Sequence, residues 1–516
     1  MRLLYPVTHR EDKKLLAKNT ILTFLGQVVP MLIALLTMPR VVKGLGADGY
    51  GLLSVALIVL GYFGMFDLGL SRATTKFVAE SLTPDGVHRV PELIWTSVTV
   101  LLALGCAAGL TLAALTPIAV THVFRMPPCL MGQARFSFFV LAASMPILLA
   151  NEALRGVLEA AQRFDLVTCV KIPCSTLFYS VAALAIPFGI TVSGIVVLLV
   201  SVRCASALAY LLMCLAVIPR LRSCVSISRE AFRPLARFGG WITLSTVTGP
   251  ILGYLERFLI ASTLSVSFLT YYSVPFDFVA KVLIFPASMA PALFPYFSYH
   301  GAQDTGRVSR VTSNSLRVLL LVITPVTALL VCFAGDILRL WMGSPFPARS
   351  TGVFQLLAFA CFLNSFAYVP YSSVQALGRP DLKAILDLIV LPTYALLCWA
   401  FLHWLGISGA ALAKLMTGVV DTGCLFFFAR RLGAFALKDC LSGPLFRGLV
   451  MSSLLLAAAW LIFLMRLDLC VSFVAFLVCS ACYAGGCWGT VMDTDERSTI
   501  RRYLRLSFRA APESAS

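Results

Sequence analysis

Long apolar runs follow one another along the whole chain, and they constrain its fold more than any other feature. Each run is long enough to cross a bilayer, which takes about 20 apolar residues. The runs are continuous rather than alternating, so they predict helices and not the strands of a barrel. Of the 516 residues, 59% are hydrophobic and only 13% are charged. We therefore predict an all-α, polytopic membrane protein.

About fourteen transmembrane helices are predicted, with boundaries good to a few residues. The polar start "MRLLYPVTHREDKKLLAKNT" lacks a small-residue cleavage site, so we expect the first span to be retained rather than removed as a signal peptide. The spans, numbered in chain order, are 19–42, 49–71, 93–120, 131–153, 165–188, 192–218, 238–262, 267–297, 317–342, 350–373, 382–403, 407–429, 444–465 and 470–491.

The net charge of +17 is distributed unevenly between the loops. Basic residues gather in the N-terminal segment, in every second loop and in the C-terminal tail, whereas the intervening loops are poor in them. This positive-inside pattern predicts that both termini lie in the cytoplasm, and it argues against nucleic acid as a partner. Only five scattered histidines are present, so we predict no metal site.

The chain also repeats itself. "EAAQRFDLV" (159–167) aligns with "QALGRPDLK" (375–383) at an offset of 216 residues. This alignment pairs Arg163 with Arg379 and Asp165 with Asp381. Weaker matches at nearly the same offset join "FGITVSG" (188–194) to "LGISG" (405–409), and "LAK" (16–18) to "LAR" (235–237).

Six spans per half is an even number, so both halves insert with the same orientation. Such parallel repeats occur in alternating-access transporters that hold the substrate between the halves. We predict three parts: an N-terminal lobe of six helices (1–222), a C-terminal lobe of six helices (223–435), and two added helices with a basic tail (436–516).

One short motif imitates a nucleotide-binding fingerprint. "GLGADG" (44–49) fits the G-x-G-x-x-G pattern. A genuine fingerprint follows a strand and opens the helix of a βαβ unit. Here the motif falls in a short external turn between two membrane spans, so we predict no nucleotide cofactor, and no other cofactor.

Three stretches resemble a known family: "GLGADGYGLLSVALIVLGYFGMFDLGLSRATTKFVAE" (44–80), "GDILRLWMGSPFPARSTGVFQLLAFACFLNSFAYVPYSSVQALGRPDLKAI" (335–385) and "LGISGAALAKL" (405–415). They are similar to the polysaccharide-biosynthesis, or Wzx-type, flippases of the multidrug/oligosaccharidyl-lipid/polysaccharide exporter superfamily.

The resemblance implies a two-lobed, V-shaped bundle in the cell inner membrane. It implies alternating-access transfer of a polyprenyl-diphosphate-linked oligosaccharide across that membrane for surface polysaccharide biosynthesis. It also implies a cationic cavity lined mainly by spans one, two, seven and eight. A polysaccharide polymerase is a further partner that the resemblance leaves open.

Charges inside spans mark candidate sites, because a charge on a lipid face costs at least ~2.5–3.5 kcal/mol at mid-bilayer. Span seven, "GWITLSTVTGPILGYLERFLIASTLS", carries Glu256 and Arg257 side by side. Adjacent helical residues point about 100° apart, so these two cannot form a simple stacked pair. Span eight carries Asp277 and Lys281, whose spacing suits either a cavity site or an i,i+4 ion pair.

We assign candidate roles accordingly. The candidate substrate-binding residues are Arg40, Arg257 and Lys281 for the diphosphate, and Tyr271, Tyr272, Asn364 and Gln375 for the sugars. The candidate ion-coupling residues are Asp67, Glu256 and Asp277. For the other intramembrane charges we expect pairing between helices; these are Lys171, Arg203, Asp387, Lys414 and Asp421.

Two other functions make different demands on the sequence. A small-molecule or multidrug antiporter of the same superfamily, coupled to H⁺ or Na⁺, would need a largely apolar or acidic cavity for cationic drugs. A membrane glycosyltransferase or polymerase would need a large external loop with clustered acids or metal ligands. The loops here are short and basic, so we predict a transporter and not an enzyme.

Overall fold

The structure is a computed structural model that describes residues 9–62, 67–81, 86, 88–161, 163–222, 226–228, 247–300, 305–344, 346–435, 443–492 and 497. Over these ranges it contains sixteen α-helices and no strand. They are α1 (His9–Tyr62), α2 (Leu70–Ser81), α3 (Val90–Ile118), α4 (Pro128–Ala160), α5 (Phe164–Ala185), α6 (Val192–Val217), α7 (247–263), α8 (Val266–Val279), α9 (Ile284–His300), α10 (Thr305–Cys332), α11 (Ala334–Met342), α12 (Phe346–Ala376), α13 (Pro380–Leu405), α14 (Ile407–Arg431), α15 (Pro444–Leu464) and α16 (Leu469–Thr490).

Twelve helical segments of the described chain are long and apolar enough to cross a membrane. This number differs from the predicted fourteen for two reasons. The first predicted span and most of the second, up to Tyr62, lie within α1 and count as a single segment. The seventh, 238–262, is described only from residue 247. The predicted class, an all-α polytopic membrane protein, is confirmed.

α1 is a helical hairpin, because its helical geometry fails at Gly46 (φ 70°, ψ 176°). A positive φ suits glycine, which has no Cβ to clash. Before the turn, α1 runs beside α5, and Thr37 donates a hydrogen bond to the carbonyl oxygen of Tyr179 (3.0 Å). After it, α1 returns along α7, with Gly61 against the ring of Tyr254. The motif "GLGADG" therefore lies at a helix–helix turn, as predicted.

The predicted span eight is interrupted. α8 ends at Val279, residues Ala280–Leu283 form a 3₁₀ turn, and α9 starts at Ile284. Pro286 has no backbone N–H, and its ring would clash with the carbonyl group four residues earlier, at Val282. The α-helix therefore cannot continue unchanged through this segment, which agrees with the bending that its prolines predict.

The internal repeat appears as two matching turns. Arg163 donates to Asp165 through Nε and Nη2, both at 3.0 Å, where α5 begins. Arg379 donates to Asp381 through the same two groups, again at 3.0 Å, where α13 begins. Because the aligned residues make the same bidentate contact, the repeat extends from sequence to local structure.

The weaker matches of the repeat are described in part. Gly406 (φ 60°) directly follows α13, and Gly189 (φ 68°) ends a 3₁₀ turn, Ile186–Phe188, that follows α5, so each helical segment ends at a left-handed glycine. This is a common way to terminate a helix. The match at 235–237 lies outside the described residues.

Contacts divide the chain into two units. Unit 1 comprises Met1–Val274 and Leu391–Ala410, and unit 2 comprises Pro275–Val390 and Ala411–Ser516. The main core of unit 1 is formed by α2 to α6, and α6 packs on both α4 and α5. The lobes predicted from the repeat, 1–222 and 223–435, stay a prediction.

The last two helices belong to unit 2, where α15 packs along α10. An apolar cluster between α10, α15 and α16 includes Cys332, Leu455 and Phe476. Three polar contacts join the same helices: Arg317 to the carbonyl oxygen of Val491 (3.1 Å), Tyr483 to that of Leu320 (3.2 Å), and Thr324 to Ser452 (3.0 Å). The added pair is thus an integral part of this unit.

Small residues bring α3 and α4 into close contact. A Cβ at Gly105 would overlap the backbone of Pro146, and one at Gly109 would overlap the carbonyl oxygen of Ala142. Glycines four residues apart allow membrane helices to approach closely.

We expect Gly105→Ala to destabilise the protein by about 1–3 kcal/mol through overpacking. The matched control is Gly132→Ala on α4, where an added Cβ meets no atom within 4 Å and alanine favours the helix. Thermal unfolding of the detergent-purified protein measures both. Equal melting temperatures would contradict the close approach of α3 and α4.

Candidate substrate site

Glu256 is completely buried in α7, with 0% of its surface exposed. Tyr394 of α13, also buried, donates a hydrogen bond to the Glu256 carboxylate (2.9 Å). A charge-assisted hydrogen bond partly replaces the water that a carboxylate loses inside the membrane. The contact therefore positions Glu256 between two helices of unit 1.

Arg257 is 7% exposed. Its guanidinium carbon lies 6.0 Å from the ring centroid of Tyr254, a cation–π distance. The two neighbouring charges thus have different tyrosine partners, as their angular separation on the helix predicts.

The candidate residues of span eight lie in the helix α8 and in the 3₁₀ turn that follows it. Tyr271 and Tyr272 are buried in α8, with 5% and 0% of their surfaces exposed. Lys281 is half-buried in the 3₁₀ turn and forms no ion pair with any described residue. The i,i+4 pair with Asp277 is therefore absent, because three residues per turn rotate Lys281 away from the Asp277 face.

The remaining substrate-binding candidates lie on α1 and α12. Arg40 is exposed on α1 and Asn364 is exposed on α12. The Gln375 amide donates a hydrogen bond to the Tyr371 hydroxyl on the same helix (2.6 Å). Their roles in binding sugar or diphosphate stay predictions.

Asp67 caps α2. Its Oδ1 accepts hydrogen bonds from the backbone N–H and the hydroxyl of Ser71, both at 2.9 Å. Asp67 follows the described membrane-spanning part of α1, which ends at Gly61. Burial raises the pKa of its carboxyl group, and the hydrogen bonds from Ser71 oppose that rise. Its ion-coupling role stays a prediction, and so do those of Glu256 and Asp277.

The expected pairing between helices holds for Asp421, whereas Asp387 pairs within its own helix. Lys383 lies 2.7 Å from Asp387 on its own helix and 2.7 Å from Asp421 on α14. Lys414, which shares a helix with Asp421, instead stands over the ring of Phe276 at 5.0 Å. One lysine thus bridges both carboxylates.

For Lys171 and Arg203 the expected pairing between helices is not borne by a described carboxylate and stays a prediction. Neither forms an ion pair with any described residue. The two glutamates of this part of α4, Glu152 and Glu159, both pair with Arg155, at 2.9 and 3.3 Å. Among the described residues, these two membrane cations therefore have no carboxylate partner.

Both cations line a cavity of about 210 Å³ between α4, α5 and α6 in unit 1. From α4 come Asn151, Glu152 and Arg155, which lie on one side of the helix. The Asn151 amide accepts a hydrogen bond from Ser206 of α6 (3.2 Å) and donates one to Glu152 (3.3 Å).

The other two walls are single stripes of side chains. On α5 they are Lys171, Cys174, Ser175, Phe178 and Tyr179, and on α6 they are Arg203, Ser206 and Tyr210. The spacings i, i+3, i+4 and i+7 place each stripe on one helix face. The Arg203 guanidinium stacks on the Phe178 ring at 4.8 Å.

The predicted site residues did not include the α4 wall of this cavity. A signal was present, since Asn151, Glu152, Arg155 and Glu159 form a polar stripe within an otherwise apolar stretch. The predicted span four ended at residue 153, whereas α4 continues to Ala160. That boundary placed Arg155 and Glu159 in a loop, where charges need no explanation.

The fold and this array of membrane-embedded charges define a multi-span transporter. A solved structure titled "Inward-facing conformation of a multidrug resistance MATE family transporter of the MOP superfamily" matches with a TM-score of 0.68 and 15% sequence identity. The match covers 80% of this chain and 98% of the other. At this identity the likeness concerns the fold alone.

A family model described as "Polysaccharide biosynthesis protein" matches residues 16–300, and the chain belongs to that family. It is 26% identical over 411 residues to a "Putative O-antigen transporter" of Shigella flexneri, a match that covers 78% of this chain and 95% of the relative. It is 25% identical over 201 residues to a "Probable low-salt glycan biosynthesis flippase Agl15" of Haloferax volcanii, covering 38% and 42%. The predicted family is confirmed.

We expect Tyr394→Phe to lower the free energy of unfolding by about 1–3 kcal/mol, because it removes a donor from a buried carboxylate. Thermal unfolding of the purified protein measures this loss. Tyr368→Phe is the control, since its half-buried hydroxyl has no hydrogen-bond partner among the described residues. If both variants unfold like the wild type, the buried bond does not stabilise the protein.

Proposed function

We propose that the protein is a flippase that moves a polyprenyl-diphosphate-linked oligosaccharide across the cytoplasmic membrane for surface polysaccharide biosynthesis. The cycle is alternating access, with two lobes opening in turn to either side. The polyprenyl tail stays in lipid while the polar headgroup crosses between helices. No chemical bond is made or broken in this cycle.

The proposal rests on one observation about the described membrane helices. Some of their cations form no ion pair, whereas many of their carboxylates are bound to a cation or to a tyrosine hydroxyl. Lys171, Arg203 and Lys281 form no ion pair with a described residue. The engaged carboxylates are Glu152 and Glu159 on Arg155, Asp387 and Asp421 on Lys383, and Glu256 with Tyr394. Unpaired membrane cations favour an anionic cargo such as a diphosphate.

Family membership supports the same cargo, and so do the names of the relatives, an O-antigen transporter and a glycan flippase. The MATE structures share the fold and leave an antiporter as the second candidate. A cationic drug would be repelled by the unpaired lysines and arginine, so the charges favour the lipid-linked cargo.

The location and partners follow from this proposal. The positive-inside pattern supports a cytoplasmic location for both termini, and family membership supports the cell inner membrane. The oligosaccharide delivered to the outer leaflet is the material that a polysaccharide polymerase consumes, so such a polymerase is the partner we propose.

Deletion of the protein is expected to cause lipid-linked oligosaccharide to accumulate in the cytoplasmic leaflet, with loss of surface glycan. Mass spectrometry of extracted lipids and staining of the surface glycan measure the two effects. Raised drug sensitivity together with normal glycan would instead identify the antiporter.

We expect Arg257→Glu and Lys281→Glu each to reduce surface glycan roughly tenfold or more, because a reversed charge repels the diphosphate in a low-dielectric site. The control is Arg466→Glu, an exposed charge between α15 and α16. Immunoblotting of membranes shows whether each variant is inserted. Normal glycan in both inserted variants would remove these residues from the site.

A further inference from the structure

The cavity between α4, α5 and α6 holds more positive charge than its own carboxylates neutralise. Glu152 and Glu159 are both within ion-pair distance of Arg155. Lys171 and Arg203, on the other two walls, have no carboxylate partner among the described residues. The α5–α6 side of the cavity is therefore electropositive.

The cavity is open at Arg203. Leu208 and Leu212 of α6 are 58% and 57% exposed, as expected for a lipid-facing side of a membrane helix. At about 100° per residue, Arg203 lies roughly 140° from Leu208 and on the opposite side from Leu212. An exposed arginine in mid-helix is stable where water or an anion reaches it.

The internal repeat aligns positions of opposite charge in the two halves. An offset of 216 aligns Lys171 with Asp387. In the second half Asp387 and Asp421 are bridged by Lys383, so the carboxylates there have a cation at 2.7 Å. In the first half the aligned position carries a cation without a carboxylate. The two halves keep the same turns but hold opposite charges.

We propose that this cavity binds the diphosphate group of a prenyl-diphosphate lipid, as a subsite within the N-terminal half of the chain. The assignment rests on the proposed function. Arg203 grips phosphate oxygens with its planar fork while Phe178 supports its other face. Lys171 supplies a mobile point charge, and the Ser206 hydroxyl and the Asn151 amide, which contact each other, add polar groups beside it.

Arg155 has a different role. Because two carboxylates already hold it, it fixes the α4 wall rather than carrying the free positive charge.

The test is binding of inorganic pyrophosphate to the full-length purified protein in nanodiscs of zwitterionic lipid. We expect Lys171→Gln and Arg203→Gln each to weaken binding roughly ten- to hundredfold, the value of a charged hydrogen bond. Lys171→Arg should largely restore it. Arg125→Gln, an exposed cation of unit 1 outside the cavity, should bind like the wild type.

Two further ligands test whether the site prefers a prenyl diphosphate or an ordinary phospholipid headgroup. Farnesyl diphosphate should compete with pyrophosphate for the same site, whereas phosphatidylglycerol in the nanodisc should not. Full competition by phosphatidylglycerol would make this an ordinary lipid-headgroup site and overturn the proposal. Equal pyrophosphate binding by the wild type and both Gln variants would overturn it as well.

Failure of this inference and failure of the proposed function give different experimental results. If the wild type exports glycan but does not bind pyrophosphate, the subsite is wrong and the flippase proposal stands. If deletion leaves the glycan and its lipid precursor unchanged, the flippase proposal is wrong whatever the protein binds.

Discussion

A low-dielectric environment in which every charge needs a partner is the constraint on which this structure depends. A helix forms hydrogen bonds between its own backbone N–H and C=O groups in lipid, so the apolar runs fold as helices. Charged side chains have no such internal solution. Each one in a membrane helix must meet a counter-charge, a hydrogen-bond donor, an aromatic ring or water.

The charges of the described helices use counter-charges, a hydrogen-bond donor and aromatic rings. Arg155 takes two glutamates, Lys383 takes two aspartates, and Glu256 takes a tyrosine hydroxyl. Lys171 and Arg203 stand out because the surrounding carboxylates are already committed. A charge without a counter-ion in the described protein points to one brought from outside, which is the physical basis for a transported anion.

Much of the fold follows from the sequence, because hydrophobicity and glycine act locally. The spans, the turn at "GLGADG" and the repeat near Arg163 and Arg379 were all predictable from neighbouring residues. The partners of the membrane charges were not predictable. Lys281 misses Asp277 because a few residues adopt a 3₁₀ turn, and Lys383 finds Asp421 on another helix. Such contacts depend on how helices rotate and pack, which spacing alone does not determine.

The contacts that bind the last two helices to α10 have a consequence for how freely that region can change during evolution. Arg317 and Tyr483 both donate to backbone carbonyl oxygens, those of Val491 and Leu320. A carbonyl oxygen survives any substitution of its own residue. A substitution at position 320 or 491 that keeps the apolar packing therefore leaves its hydrogen bond in place, whereas a change of Arg317 or Tyr483 removes one.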